Sequence, residues 1–323
     1  MSSTKKSSTY NDKTLSCLFL LIPTIMLIAG YFLFPYSETS LAYQLVFIPM
    51  YIGPIILLVG FLWRNKNQAS KIKIIGWTVF SFFWSTQPSH LYFSEGGDIF
   101  NSTVSILGVY ILMYFAYHEW LCLKRDEHIG CLNWIAGVAS ICGLIYYTME
   151  NTFFSSILID IVADHSVKVL NFLTNSNYFV GFKDATGACV GNIDGSYVVT
   201  IIFACTAVQA MVLFVGLILS LSNVTVKKKI IGLLITLIPI YILNLLRNSM
   251  VIFLLGNNIT SFDIAHNFLS KIGALITLIV LLFVVFKIIP ELFDEIICLI
   301  DLPKRNGPIE QFFSKYFGRK KKT

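Results

Sequence analysis

Apolar residues along this chain run in long windows separated by short polar connections, and eight of these windows are long enough to cross a bilayer. They fall at roughly 15–34, 41–63, 73–92, 103–123, 131–148, 196–222, 229–255 and 267–289. Inside lipid only a helix satisfies the backbone of such a run by itself. The pattern therefore predicts an all-α integral membrane protein, a polytopic bundle of about eight transmembrane helices. The third window is the weakest, because Gln87, Pro88, Ser89 and His90 dilute its end. Residues 15–34 are longer than a signal-peptide core and no A-x-A-like cleavage site follows, so they read as a first spanning helix.

One connection has a pattern of its own. Between residues 149 and 195, Ile157, Leu158, Ile161, Val162, Val169 and Leu170 recur at helical spacing against Asp160, Asp164 and Lys168. This predicts an amphipathic external helix lying on the outer leaflet. A glycine-rich stretch (Gly181, Gly187, Gly191, Gly195) then leads into the sixth window.

Composition agrees with the pattern. Of 323 residues, 56% are apolar and only 13% charged, with a mean hydropathy of +0.73, where a soluble domain has about a quarter of its residues charged. The whole chain, 1–323, reads as one transmembrane domain ending in a basic tail at 303–323. Nineteen basic residues fall on one side of the eight windows: before the first, in the connections after the second, fourth and sixth, and in the tail. The opposite connections hold Lys168 and Lys183 alone, among nine acidic residues. The positive-inside rule then makes both termini cytoplasmic. The net charge of +6 is a topology signal, and nucleic-acid binding is not needed to explain it. Seven cysteines form no C-x-x-C pair, which predicts neither a zinc site nor a disulfide framework. No internal repeat of the kind common in transporters is visible.

The seventh window contains a charge. Arg247 lies in Ile240-Tyr241-Ile242-Leu243-Asn244-Leu245-Leu246-Arg247-Asn248-Ser249, eight residues from the external end, or about 12 Å deep at 1.5 Å per residue. A guanidinium does not shed its proton, and at that depth it costs roughly 2.5–3.5 kcal/mol on insertion scales, so it needs a partner, a wet cavity or a function. Cys205 maps to about 13 Å from the external start of the sixth window by the same rule. His266, with Asn267 beside it, stands at the external mouth of the eighth. Two antiparallel helices thus offer a thiol and a guanidinium at matching height beneath an imidazole.

Such a group makes chemical sense. Burial alone makes a thiol inert, whereas a nearby cation favours the nucleophilic thiolate. Arg247 supplies that field and then holds the oxyanion of a tetrahedral intermediate. His266 is the candidate for moving protons near neutral pH. Asn244 and Asn248 lie on the Arg247 face or its edge and fix its direction, and Gln209, one turn from Cys205, contributes an amide. The ordinary alternatives stand beside these roles. A lone membrane cysteine is commonly an apolar filler, an interfacial histidine a loop residue, and Lys271 a snorkelling side chain. His118-Glu119 has no H-E-x-x-H continuation.

Three of these segments look familiar. Ala204-Cys205-Thr206-Ala207-Val208-Gln209 resembles the cysteine motif of the exosortase/archaeosortase family, in the form closest to archaeosortase A. Asn244-Leu245-Leu246-Arg247-Asn248 resembles its arginine motif, and Asp263-Ile264-Ala265-His266-Asn267 leading into Ile272-Gly273-Ala274-Leu275 resembles its third. The resemblance covers residues 196–290, which it makes the catalytic core. It implies Cys205 as the acyl-thioester nucleophile and Arg247 as its partner. It also puts His266 at a position where archaeosortase A members can carry arginine, which leaves a base or a stabilising donor open for that residue. It further implies substrates with a C-terminal tripartite sorting signal: a short motif of the Pro-Gly-Phe type, a transmembrane helix and a basic cluster. The implied reaction is cleavage near the motif at the cell membrane and transfer of the new carboxyl end to an acceptor, a membrane lipid for archaeosortase A. No cofactor or metal takes part. Two other readings remain: a transporter with an intramembrane anion site at Arg247 and Lys271, and a non-catalytic scaffold.

Overall fold

The computed structural model describes residues 3–33, 41–93, 99–183, 187–192, 195–262, 264 and 270–317. It is an all-α polytopic membrane protein with, among the described residues, one small sheet, and it divides into two compact units, one of residues 1–144 with 294–323 and one of 145–293.

In the first unit, α1 (Ser3–Leu33), α2 (Leu41–Leu62), α3 (Lys66–Phe93) and α4 (Ile99–Arg125) pack around α3. α1 leaves Leu21, Ile25, Ile28 and Phe32 exposed at helical spacing, as a lipid-facing stripe demands. α3 differs for a physical reason. It is the central helix, so it buries Trp77, Phe80 and Phe83 alongside Ser81, Ser85, Thr86 and Ser89, and it can be polar because protein surrounds it. That is why the third window is diluted. Gly76 lets α2 approach, since a Cβ there would lie 2.8 Å from the Leu57 side chain. Lys73, one of the nineteen basic residues and at the junction of the second connection with the third window, is fully buried, with Nζ 2.7 Å from Glu119 on α4.

The expectation of no disulfide is corrected. Cys131, at the start of α5 (Gly130–Glu150), is bonded to Cys298 on α10 (Pro290–Ile300), 167 residues away. Local spacing is blind to a partner that only the fold brings near. After α10 the chain closes onto α4 through α11 (Pro308–Phe317), whose Glu310 accepts hydrogen bonds from Tyr114 (2.7 Å) and Tyr117 (2.9 Å).

Among the described residues, five helices rather than about eight are long and apolar enough to cross: Thr14–Phe32, Leu45–Leu62, Ile99–Arg125, Gly130–Glu150 and Val226–Gly256. A sixth is the pair Ile272–Ile288 and Pro290–Ile300 if that pair, bent by 115°, is one span. The largest departure is the sixth window, which is not one helix. It opens as a β-strand, passes through a 3-10 turn and ends in the twelve-residue α7 (Val208–Leu219). Hydropathy does not separate an apolar strand from an apolar helix, and the β-branched run Val198-Val199-Thr200-Ile201-Ile202 takes the strand.

The second unit is built on this feature. The glycine-rich stretch forms β1 (Phe179–Lys183), β2 (Gly187–Gly191) and β3 (Tyr197–Ile202), an antiparallel sheet in that order, with Val190 opposite Val199 and Ala188 opposite Ile201. Gly187 is required by close approach, because a Cβ there would meet the Ile201 carbonyl oxygen. α6 (Phe154–Thr174) is the amphipathic helix expected, and its polar face carries the Lys168–Asp164 pair at 2.6 Å. Its apolar face is placed differently: Ile159, Val162, Ala163, Val167 and Leu170 are buried while Ile157 and Ile161 are exposed. That face packs on the sheet, the 3-10 turn and the long helix α8 (Val226–Gly256) rather than lying bare on a leaflet.

α8 (Val226–Gly256) shows the membrane logic most clearly. Every fourth residue from Ile230 to Met250 (Ile230, Leu234, Ile238, Ile242, Leu246, Met250) is apolar and exposed. Every fourth residue from Gly232 to Ile252 (Gly232, Thr236, Ile240, Asn244, Asn248, Ile252) is buried, and three of those six are polar. Polar groups turn inward because lipid offers them no partner.

Candidate functional site

The site grows from the junction of β3 with α7. β3 delivers the chain into the 3-10 turn Phe203–Thr206, which Thr206 closes by donating from Oγ1 to the Phe203 carbonyl at 2.7 Å. Ala207 follows in the left-handed region with φ of 62°, which costs a residue bearing a Cβ on the order of 1–3 kcal/mol. α7 begins immediately after it. Cys205 is therefore held at a strand–turn–helix corner just ahead of a helix N-terminus, and not in mid-helix as its depth along the sixth window implied. It is 5% exposed and packs with Ala163, Val199, Ile201 and Ile252.

The two candidate asparagines have a contact that the sequence did not suggest. Both grip the cysteine backbone: Asn244 Nδ2 donates to the Cys205 carbonyl at 2.8 Å and Asn248 Nδ2 at 3.1 Å. They lie one turn apart on the buried ridge of α8, so their amides converge on one oxygen. Asn248 Nδ2 also reaches Ser166 Oγ on α6 at 3.4 Å, and Ser249 Oγ donates to the Ser166 carbonyl at 2.8 Å. Ser166, Asn244, Asn248 and Ser249 are all buried, so this is a closed polar seam between α6, α8 and the cysteine turn.

Arg247 belongs to the same cluster. It is half-buried, interacts electrostatically with Cys205, and offers Nη1 to Asn248 Oδ1 at a long 3.5 Å. Its buried Nε has no hydrogen-bond partner among the described residues, and no carboxylate there pairs with it. A small cavity of about 50 Å³ opens beside Cys205, lined by β3, Cys205, Asn248, Val251 and Phe262. Gln209 is exposed on the first turn of α7. His266, Asn267 and the side chain of Lys271 lie outside the described residues.

Sequence reasoning passed over three residues here. Ser166 and Ser249 carry no signal in a single sequence, since serine in an apolar stretch is common packing. His165 pairs through Nδ1 with the Tyr241 hydroxyl at 2.7 Å, across the same α6–α8 seam. The signal available for it was its position on α6, beside the polar stripe of Asp164 and Lys168.

Compared with family models, curated proteins and solved structures, the chain matches none of them. The likeness to the exosortase/archaeosortase family therefore rests on the three short motifs alone.

Proposed function

We propose that this chain is a membrane-embedded cysteine transpeptidase or protease of the archaeosortase kind. On this reading it acts at the cell membrane, with both termini cytoplasmic and the site toward the external face, on secreted proteins that end in a Pro-Gly-Phe type tripartite signal. The observation that supports it best is the junction itself: a cysteine with its backbone clamped by Asn244 and Asn248, in the field of a guanidinium that pairs with no carboxylate among the described residues. A structural cysteine needs neither feature.

The chemistry follows from that arrangement. The Cys205 sulfur, having given up its proton, adds to the carbonyl carbon of the scissile peptide bond, and negative charge moves to the carbonyl oxygen. Arg247 meets that oxyanion with its Nε–H, which has no partner among the described residues, and such a donor is worth about 3–4 kcal/mol in comparable oxyanion sites. Collapse expels the downstream segment as an amine, which takes up a proton, and leaves a thioester on Cys205. An acceptor hydroxyl, on this reading that of a membrane lipid, then adds to the thioester, loses its proton, and releases the sulfur. His266 retains its place as the proton-moving candidate from the resemblance.

A guanidinium without a carboxylate partner among the described residues equally suits an anion transporter centred on Arg247 and Lys271, and Cys205 separates the two. In cells expressing a surface protein with the tripartite signal, Cys205→Ala and Cys205→Ser should leave the signal uncleaved while the enzyme still accumulates. Normal processing in Cys205→Ala cells ends the enzyme reading, whereas an anion transporter tolerates either change.

A further inference from the structure

Cys205 is almost buried, and the space beside it is a dimple rather than a groove. Two residues of its wall, Ile202 and Phe262, are exposed, while Val199, Ile201, Asn248 and Val251 are buried, so the cavity extends from the exposed pair inward to Cys205. Its polar wall residues are already engaged. Asn248 Nδ2 donates to the Cys205 carbonyl and to Ser166 Oγ, and Thr200 Oγ1 lies 3.1 Å from the Tyr197 hydroxyl. What they leave to an occupant is the apolar surface of Val199, Ile201, Val251 and Phe262. Size is the second constraint. The volume is about 50 Å³, a third of the roughly 150 Å³ that holds a benzene ring, which leaves room for about one or two carbon atoms and none for a ring.

We infer that this cavity is the subsite for the residue whose carbonyl is acylated, and that it selects glycine or alanine there. The inference rests on the cysteine-peptidase reading and adds the size of the residue at the scissile bond. In the thioester the carbonyl carbon is joined directly to the Cys205 sulfur, so a side chain on the next carbon must lie in the space around Cys205. An apolar wall of fixed volume accepts a methyl group or nothing, and each methylene beyond that overpacks it. In the proposed Pro-Gly-Phe motif, proline and phenylalanine both carry rings, and only glycine meets the limit. The glycine carbonyl carbon then bonds to sulfur, the Gly–Phe peptide bond breaks, and the phenylalanine nitrogen leaves as an amine with the proton it takes up. Val251 is the wall residue that sets the limit from α8, apart from the sheet and the cysteine turn.

Size complementation tests this. The full-length protein in liposomes is given tripartite peptides in which the glycine is kept or replaced by alanine, leucine or phenylalanine, with hydroxylamine as acceptor. The hydroxylamine nitrogen adds to the thioester, loses a proton and releases the sulfur. The acylated residue is thereby marked as a C-terminal hydroxamate that mass spectrometry locates. The mark should fall on glycine, and alanine should react within about threefold. Leucine and phenylalanine should be slower by about thirtyfold or more, since one methylene in an apolar pocket changes rates by about 10–200-fold. Val251→Ala should bring the leucine peptide to within about fivefold of the glycine peptide, whereas a glycine required elsewhere for a bend stays required. Val251→Ile narrows the cavity from the same wall and serves if the smaller variant does not fold. It should keep the glycine peptide and slow the alanine peptide about tenfold. A hydroxamate on a ring-bearing residue, a leucine penalty unchanged in an active Val251→Ala enzyme, or equal glycine and alanine rates in Val251→Ile overturns the subsite while leaving the thiol enzyme intact. No hydroxamate from any peptide with the parent removes the enzyme reading and the subsite with it.

Discussion

Asn244 donates its side-chain N–H to the backbone carbonyl of Cys205 at 2.8 Å, across 39 residues of sequence, and so ties the reactive turn to the polar ridge of α8. The bond is buried, so nothing from solvent replaces it. Asn244→Ala leaves the carbonyl with the Asn248 bond alone, and a lost net hydrogen bond is worth about 1 kcal/mol. Turnover of a tagged substrate should fall about five- to tenfold with KM little changed, because the residue positions the nucleophile and does not touch substrate. The double variant with Asn248→Ala should lose far more than the product of the two, since the carbonyl is then unsatisfied. Equal loss in KM and kcat, or simple additivity, argues against a shared clamp.

Arg247→Lys keeps the charge and removes the planar fork. If the guanidinium meets an oxyanion with defined donors, lysine fails to replace it, and activity should drop on the order of a hundredfold or more. If only a positive field matters, Arg247→Lys retains most activity while Arg247→Gln does not. Measuring both variants against the same substrate decides between geometry and field.

The sequence made the membrane class and most of the helices plain because lipid imposes a coarse rule that hydropathy reads directly. α1, α2, α4, α5 and α8 stand close to where their apolar windows placed them. The polar face of α6 was equally legible, because Asp164 and Lys168 mark it. What the windows missed was the β-sheet: Val198–Ile202 is as apolar as a spanning helix, and only its partner, the small-residue strand β2, shows that it pairs. The site was legible by residue type and illegible by contact. Cys205, Asn244 and Asn248 could be singled out, yet the reason for the asparagines, a single carbonyl oxygen, exists only once the turn has formed.

Outside the spanning segments, Glu310 gives a prediction in pH. Burial pushes its carboxyl upward, but His118 at 3.4 Å and the hydroxyls of Tyr114 and Tyr117 outweigh that and hold it at about 2. Its ordinary value is about 4.3. A depressed carboxyl adds stability that is fully present above pH 4.3 and is lost as pH falls toward 2, here on the order of 3 kcal/mol. Glu310→Gln should therefore melt well below the parent at pH 7, and the two should converge as pH drops from about 4.5 to 2. A gap that stays constant over that interval means that the carboxyl is not held by these contacts.

The Cys131–Cys298 bond closes a loop of 167 residues, and bonds over long loops commonly add about 2–5 kcal/mol. Reductant should lower the melting temperature of the purified protein by roughly 5–10 °C, and should do nothing further to Cys298→Ser. The bond also bears on orientation. Cys131 packs with Cys122 and Leu302, close in sequence to Lys124 and Arg125, an end that the proposed orientation puts in the cytoplasm, where thiols are kept reduced. On that assignment the pair is open in the cell and closes on purification. Permeant alkylation of intact cells before lysis should then block both cysteines, and the alkylated protein should already show the lower melting temperature. A pair that resists alkylation until reductant is added puts this end outside instead, which reverses the proposed orientation without touching the chemistry at Cys205.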